Sequence, residues 1–385
     1  MTPQENELLT RIGPGTRMGN VMRRYWWPVG YSQEIGSIPK PLRVLGEDLI
    51  LFRAGNGTVG LVAQSCAHRL ASLEFGRVEQ NGIRCCYHGW LYDTKGQCTE
   101  MPCEPADNKL CKDVKIAAYK TQEMGGLVFA YMGPEPAPLL PNYDLLVRDD
   151  LDRQLSSAIE HCNWLQRAEN GVDKYHSMAL HAPVYPSIAL KRPDDVLWDQ
   201  KWYGFRMSAK YPSKAENVSH HIFPSHTRRY GARVGERPSH YLHLRVPVDD
   251  VDTITYFVRA QETEGGKRGV ETVKGHENLE RGVYERVEDG WWRLTSHEQD
   301  RAAQESQGLI TDRTKEFLAT SDRGIVMLRK LLLDSIDAIE AGKDPFGLLR
   351  DPTQNQIISF DAQKNFADTD KDFSGQKADP SRELV

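Results

Sequence analysis

Three textures of apolar and polar positions follow one another along the chain. Residues 5–25 place Leu8, Leu9, Ile12, Met18, Val21 and Met22 at roughly helical spacing, just before the aromatic run Tyr25-Trp26-Trp27. From about residue 43 the apolar runs become short and β-like. LILFR, the turn AGNG and VGLVAQ (49–64) predict a hairpin. IRCCYHGWLYD with TKGQC (83–98) predicts another, and GLVFAYM (126–132) a strand. The proline-rich GPEPAPLLP (133–141) reads as a linker, so a small β domain is expected to end near residue 135.

Beyond it the pattern is mixed. Residues 161–181 look helical, and YGFRMSAKY, YLHLRVPV and TITYFVRA alternate as antiparallel strands do. Residues 296–341 are mostly helical in pattern, with Ile325, Leu328, Leu332, Ile336 and Ile339 forming an amphipathic stripe. From 361 the chain is polar and reads as a loosely held tail. The expected organisation is therefore a helical segment over 1–25, a β domain over 26–135, an α+β domain over 136–360 and a tail over 361–385.

Composition narrows the function classes. With 385 residues, 39% hydrophobic and 27% charged, the chain has an ordinary globular make-up. A net charge of −5 without a long basic run argues against nucleic acid as a partner. No apolar run approaches the roughly 20 residues of a membrane helix. The N-terminus lacks the plan of a signal peptide, so a cytoplasmic location is expected. Six of the seven cysteines crowd between 66 and 111, which favours metal binding over a disulfide framework.

Cys66-Ala67-His68 and Cys85-Cys86-Tyr87-His88 place a Cys-x-His and a Cys-x-x-His pair at the tips of predicted hairpins. Two thiolates and two imidazoles from facing loops are the donor set of a Rieske [2Fe–2S] cluster, one iron taking each pair. Over all spacings, chance supplies only roughly 4 × 10⁻⁴ such matches, so the motif is specific. A zinc site is the competing reading, but Cys₂His₂ sites usually pair Cys with Cys and His with His along the chain.

The second constellation is Asn170, Asp173, His176 and His181. The first three share one side of a continuous helix. His181 lies about 140° further round, so the helix has to distort or end before it, and Pro183 and Pro186 suit such an ending. Two histidines and one carboxylate with open positions form the ferrous oxygenase site. The carboxylate has to come from elsewhere; Asp300, Glu298 and Glu305 are the candidates, Asp300 preferred.

With both constellations in this order, the chain resembles the oxygenase (α) component of Rieske non-haem iron oxygenases. ENELLTRIGPGTRMG, RRYWWPV, ENGVDKYHSMALH, HLRVPVDD and QDRAAQESQG are similar to the phthalate 4,5-dioxygenase branch and related aryl-ether demethylases. The resemblance implies a Rieske domain followed by a helix-grip catalytic domain, an antiparallel sheet wrapped over a long helix. It implies Asp300 as third ligand of a mononuclear Fe(II), O₂ as co-substrate, and rings of three subunits or pairs of such rings. Asp173 would then bridge the iron-site histidine and a neighbouring subunit's cluster histidine, by position His88, with Asn170 beside it.

The implied activity is hydroxylation of an aromatic, carboxylated substrate, with aryl O- or N-demethylation as the alternative. A non-catalytic iron–sulfur carrier is the reading from another class. No GxGxxG fingerprint stands between a strand and a helix, so electrons are expected from a separate NAD(P)H-dependent reductase. The resemblance implies that this reductase carries FMN and a plant-type [2Fe–2S] cluster. Inward-turning strand residues nominate Arg206, His226, Arg228, His243 and Arg245 as substrate partners.

Overall fold

The computed structural model describes residues 1–105, 107–182, 192–193, 195–210, 216–231, 238–277, 279–282, 296–355, 357 and 360. Pro183, Pro186 and the tail from 361 lie outside them. The expected N-terminal helix is two. Thr2 and Glu5 close a capping box on α1 (Pro3–Thr10), and Thr16 caps α2 (Arg17–Met22). Gly15, in the left-handed region at φ 81°, lies in the turn between them.

Strands β1 (Trp26–Tyr31), β2 (Lys40–Val44), β3 (Glu47–Arg53) and β4 (Val59–Ala63) come next. They are followed by β5 (Arg77–Glu79), β6 (Gly82–Arg84), β7 (Leu91–Asp93), β8 (Cys98–Glu100), β9 (Ala118–Met124) and β10 (Leu127–Tyr131). They make a six-stranded sheet of order β1-β10-β9-β4-β3-β2 and a four-stranded sheet β5-β6-β7-β8. The expected hairpins are β3–β4, β6–β7 and β7–β8.

The third part begins with α3 (Asp144–Val147), β11 (Leu151–Glu160), α4 (Trp164–Val172) and α5 (His176–Ala179). It continues with β12 (Asp195–Lys201), β13 (Gly204–Lys210), β14 (Glu216–Ile222), β15 (His226–Gly231), β16 (Ser239–Pro247), β17 (Thr253–Glu262) and β18 (Glu271–Glu277). Helices α6 (Ser296–Ser306) and α7 (Arg323–Glu340) follow. Eight of these strands form one sheet, β12-β13-β14-β15-β16-β17-β11-β18, antiparallel except for β11 with β18. Helix α4 lies on β15 and β16, α6 beside α4, and α7 against α2 and α4. The fold is α+β. Leu328, Leu332 and Ile336 of the predicted stripe are buried, with Ile325 and Ile339 at its margin.

The core divides differently from the sequence. One hydrophobic cluster runs from α1 through the six-stranded sheet into the eight-stranded one, with Trp27, Leu51, Phe129, Trp164, Leu244, Val258 and Leu332 in it. Tyr31 Oη donates to Ser157 Oγ at 2.7 Å and meets Tyr256 edge-on across the join. The segment 133–141 is packed rather than a free linker. Trp26 Nε1 donates to the Pro138 carbonyl at 2.9 Å, Leu139 N to the Leu349 carbonyl at 2.8 Å, and Leu140 is buried. The cluster-loop lobe has a core of its own, built from Phe52, Val62, Leu73, Ile83, Trp90, Tyr92 and Ile116.

Candidate metal centres

Cys66 and His68 sit in the loop after β4, and Cys85 and His88 in the β6–β7 loop. Both cysteines are buried and both histidines half-exposed, so the thiol side faces the lobe and the imidazole side its tip. Tyr92 Oη stands 3.2 Å from Cys66 Sγ and accepts the Ala67 N–H at 3.1 Å, tying the first loop to β7. Gly89 turns the second loop at φ 75°; a Cβ there would meet Pro102 Cγ at 2.7 Å. Trp90 stacks on His68, with 4.5 Å between ring centroids and 6° between planes.

The His68 and His88 rings lie 4.4 Å apart, and His68 Nδ1 is buried without a hydrogen-bond partner. An orphaned buried imidazole nitrogen points to a ligand bond. The donors of the four residues do not converge on one point. Among the described residues, the His, Cys, Asp and Glu side chains whose ligand atoms gather within 4.8 Å are His176, His181 and Asp300. A spread Cys₂His₂ set fits a two-iron cluster and fits a single tetrahedral zinc poorly.

The second site assembles around a broken helix. Helix α4 ends at Val172, and Asp173 adopts an extended conformation, φ −80° and ψ 117°. Its Oδ1 then accepts the N–H groups of Tyr175 (2.7 Å) and His176 (3.3 Å), starting the short α5, and His181 follows that turn. The single helix expected over 161–181 is thus interrupted at 173–175, because the Asp173 carboxylate competes for the backbone. Its ending between His176 and His181 matches the expectation.

Asp300, on α6, brings Oδ1 to 3.3 Å from His181 Nε2 and 3.6 Å from His176 Nε2. Asn170 Nδ2 donates to the same oxygen at 3.1 Å, and His181 Nδ1–H donates to Gln299 Oε1 at 2.8 Å. Asp173 Oδ2 is 3.7 Å from His176 Nδ1, another buried atom without a hydrogen-bond partner. Burial pushes His176 down, against the pull of Asp300 and Asp173. Burial also opposes the charged forms of His181 and Asp300. Their contact, with Gln299 and Arg167 helping, raises His181 and holds Asp300 well below the ordinary carboxylate range. A neutral His176 beside an ionised Asp300 is the protonation state a divalent metal requires.

Strand alternation sorts the nominated substrate residues onto two faces. His221, Thr227 and His243 are cross-strand neighbours on the face that carries α4, and Arg245 shares it two residues on. Three nominees fall on the opposite face. Arg228 is buried in an ion pair with Asp144 at 2.8 Å, which corrects its reading as a free carboxylate partner. His226 accepts the Arg245 backbone N–H at 3.1 Å and packs against Trp27, and Arg206 approaches Glu216 at 3.8 Å. Arg245 differs. Its Nη1 reaches only the Ser225 carbonyl (3.2 Å) and Thr227 Oγ1 (3.3 Å), Nε has no partner, and no carboxylate pairs with it among the described residues. Burial, helped by Arg167, pushes it down to about 9.

Sequence reasoning missed Gln299, although it directly precedes Asp300. It also missed the buried ion pair of Glu160 and Arg167, 2.6 Å, which no spacing announces. Glu160 accepts the Thr255 hydroxyl at 2.7 Å and approaches His297 Nε2 at 3.6 Å, extending the polar interior beside Asp300.

Comparison with known proteins places these sites in a family. The model of the Rieske [2Fe–2S] domain matches residues 25–120. The chain is 33% identical over 370 residues to the 5,5'-dehydrodivanillate O-demethylase oxygenase subunit of Sphingobium sp. (strain NBRC 103272 / SYK-6), covering 93% of this chain and 86% of the relative. It is 31% identical over 407 residues to the phthalate 4,5-dioxygenase oxygenase subunit of Pseudomonas putida, covering 94% and 92%. Among solved structures, Pseudomonas putida CBB5 NdmA with caffeine superposes with a TM-score of 0.67 at 19% identity, over 91% of this chain and 99% of that one. That likeness shows the fold.

Proposed function

The chain belongs to the Rieske non-haem iron oxygenases as an oxygenase subunit, and from that premise we propose that it hydroxylates an aromatic substrate bearing a carboxylate. It is an oxidoreductase whose cofactors are a Rieske [2Fe–2S] cluster and a mononuclear iron, with O₂ as co-substrate. In the proposed assignment Cys66 and Cys85 hold one cluster iron and His68 and His88 the other, while His176, His181 and Asp300 hold the mononuclear iron. When bound, the cluster supplies single electrons and the ferrous centre supplies O₂ activation.

The chain's own residues prepare that chemistry. Gln299 keeps the His181 proton on Nδ1 and so frees Nε2 for the metal. Asn170 orients Asp300 through its hydrogen bond. Arg245, a buried cation without a carboxylate partner among the described residues, can hold a substrate carboxylate, with His243 beside it on the same face.

Asp173 is proposed as the bridge to His88 of the partner subunit in a ring of three. The support is its place beside His176, together with the exposed Leu70, Phe75 and Tyr87 in the two loops that carry His68 and His88. A GxGxxG string, Gly55 to Gly60, forms the β3–β4 hairpin rather than a strand-to-helix turn. Electrons accordingly come from a separate flavin reductase with a plant-type [2Fe–2S] cluster. Among the described residues no helix is long and apolar enough to cross a membrane.

One observation carries this reading: a single chain holds both the spread Cys₂His₂ loops and the convergent His176–His181–Asp300 set. Iron and sulfide analysis of anaerobically purified protein tests it. The expected count is about three irons and two sulfides per chain. Two irons would favour a carrier, and zinc without colour would overturn the cluster assignment. Substrate-dependent O₂ uptake with an aromatic acid, absent with its amide, tests the carboxylate.

A further inference from the structure

The cluster-loop lobe contains a second pair of cysteines that neither metal centre uses. Cys98 lies on β8 and is buried; Cys111 lies in the 3₁₀ turn Leu110–Lys112 and is half-buried. Their Sγ atoms are 3.7 Å apart. A disulfide spans about 2.05 Å, so closure asks the two sulfurs for roughly 1.7 Å, within reach of small side-chain rotations.

The backbone around the pair is already held in place. Gln97 Nε2 donates to the carbonyls of Cys111 and Val114, both at 3.0 Å, and the Cys98 N–H donates to the Val114 carbonyl at 3.0 Å. The segment between the two cysteines also touches the His88 loop. Pro102 occupies the space beside Gly89, and Cys103 Sγ donates to the His88 carbonyl at 3.6 Å.

We propose that Cys98 and Cys111 form a reversible dithiol–disulfide couple that clamps the segment between them onto the cluster-loop lobe. The oxidant is a low-molecular-weight disulfide such as oxidised glutathione. Cys111 is the more accessible thiol. Its thiolate attacks one glutathione sulfur, forms a mixed disulfide and expels the first glutathione as thiolate. The Cys98 thiol gives up its proton and attacks the Cys111 sulfur, expelling the second. Two protein thiols are oxidised, one external disulfide is reduced to two thiols, and two protons and two electrons are accounted for. Burial beside Cys111 pushes the Cys98 thiol up to about 12, so the second step is the slower one. A couple of this kind in a reducing compartment is transient and redox-sensing rather than permanent.

The test uses the holoprotein incubated anaerobically with oxidised glutathione and then denatured in alkylating reagent. Two fewer of its seven cysteines should react. The intact mass should fall by two hydrogens, and a peptide cross-linking 98 and 111 should appear and vanish with dithiothreitol. Thermal loss of the cluster's visible absorbance should move to higher temperature on oxidation, and Cys111→Ser should abolish that shift while Cys103→Ser and Cys86→Ser keep it. Cys98→Ser should behave as Cys111→Ser does; if it fails to fold, Cys111→Ser alone decides, since that position is only half-buried. Full alkylation of all seven cysteines after oxidation, or a cross-link to Cys103 or Cys86 instead, would overturn the proposal.

Discussion

Replacing Gln299 by leucine removes the hydrogen-bond acceptor at 2.8 Å from His181 Nδ1. Gln299 is 1% exposed and His181 6%, so water does not readily replace the lost acceptor. A buried N–H left unsatisfied costs about 1–3 kcal/mol. With His181 Nε2 bound to metal, Nδ1 has to keep its proton, so the cost falls on the metal-bound form. At about 1.4 kcal/mol per tenfold, iron affinity should fall roughly 5- to 150-fold. That range brackets the 10- to 100-fold typical of a lost partner behind a metal-ligating histidine.

The assay is chelator competition on the loaded protein, with the cluster's visible spectrum as internal reference. Because the cluster loops pack in a core of their own, that spectrum should hold while iron falls from about three towards two per chain. Gln299→Glu, which keeps an acceptor, should retain the iron. If Gln299→Leu holds iron against chelator as the unaltered protein does, the tautomer argument fails. If both centres are lost together, the substitution has unfolded more than the site.

Two further outcomes follow from the same geometry. Asp173→Asn should leave the cluster spectrum and most of the iron in place but slow single-turnover electron transfer severalfold or more; unchanged transfer would remove Asp173 from the path. His221 and His226 are buried, and burial together with Arg245, and for His226 also the neighbouring His221, lowers both to about 3, from 6.5. Groups depressed in this way contribute stability above pH 6.5 that is lost as pH falls towards 3. At pH 5.5 each should cost about 1.4 kcal/mol, so the urea midpoint should drop between pH 7.5 and 5.5, and His221→Asn should drop less. An equal drop in the variant would refute the assignment.

The cluster loops were legible because every donor lies within a stretch of 23 residues, in two Cys/His pairs whose spacing can be read directly along the chain. His176 and His181 were legible for the same local reason. Asp300 was not: it reaches them only when α6 packs beside α4, 119 residues downstream of His181 in the chain. Periodicity identified the strands but not which face looks inward, and so Arg206, His226 and Arg228 were nominated with Arg245 on equal terms. Once β15 and β16 pair Thr227 with His243, the register separates them. The helix break at Asp173 escaped because an aspartate inside a helical pattern shows no sign of which N–H groups its carboxylate will take.

The two faces of the eight-stranded sheet divide the work. One face carries Leu242, Leu244, Tyr256 and Val258 into the core shared with the N-terminal sheet, where apolar burial fixes the strands. The other carries Glu160, His221, His243, Arg245 and Thr255 beneath α4 and α6. Buried charges there add little net stability, because desolvation offsets most of the attraction. The near-complete burial of Glu160, His221 and Arg245 makes sense as electrostatics aimed at Asp300, which Arg167 helps to keep ionised, and at whatever anion meets Arg245. A site of this kind needs strands that do not yield when charges on them change, and the apolar face supplies that rigidity. Substitutions on the shared-core face should therefore cost stability first, and those on the helix-bearing face should cost iron or substrate first.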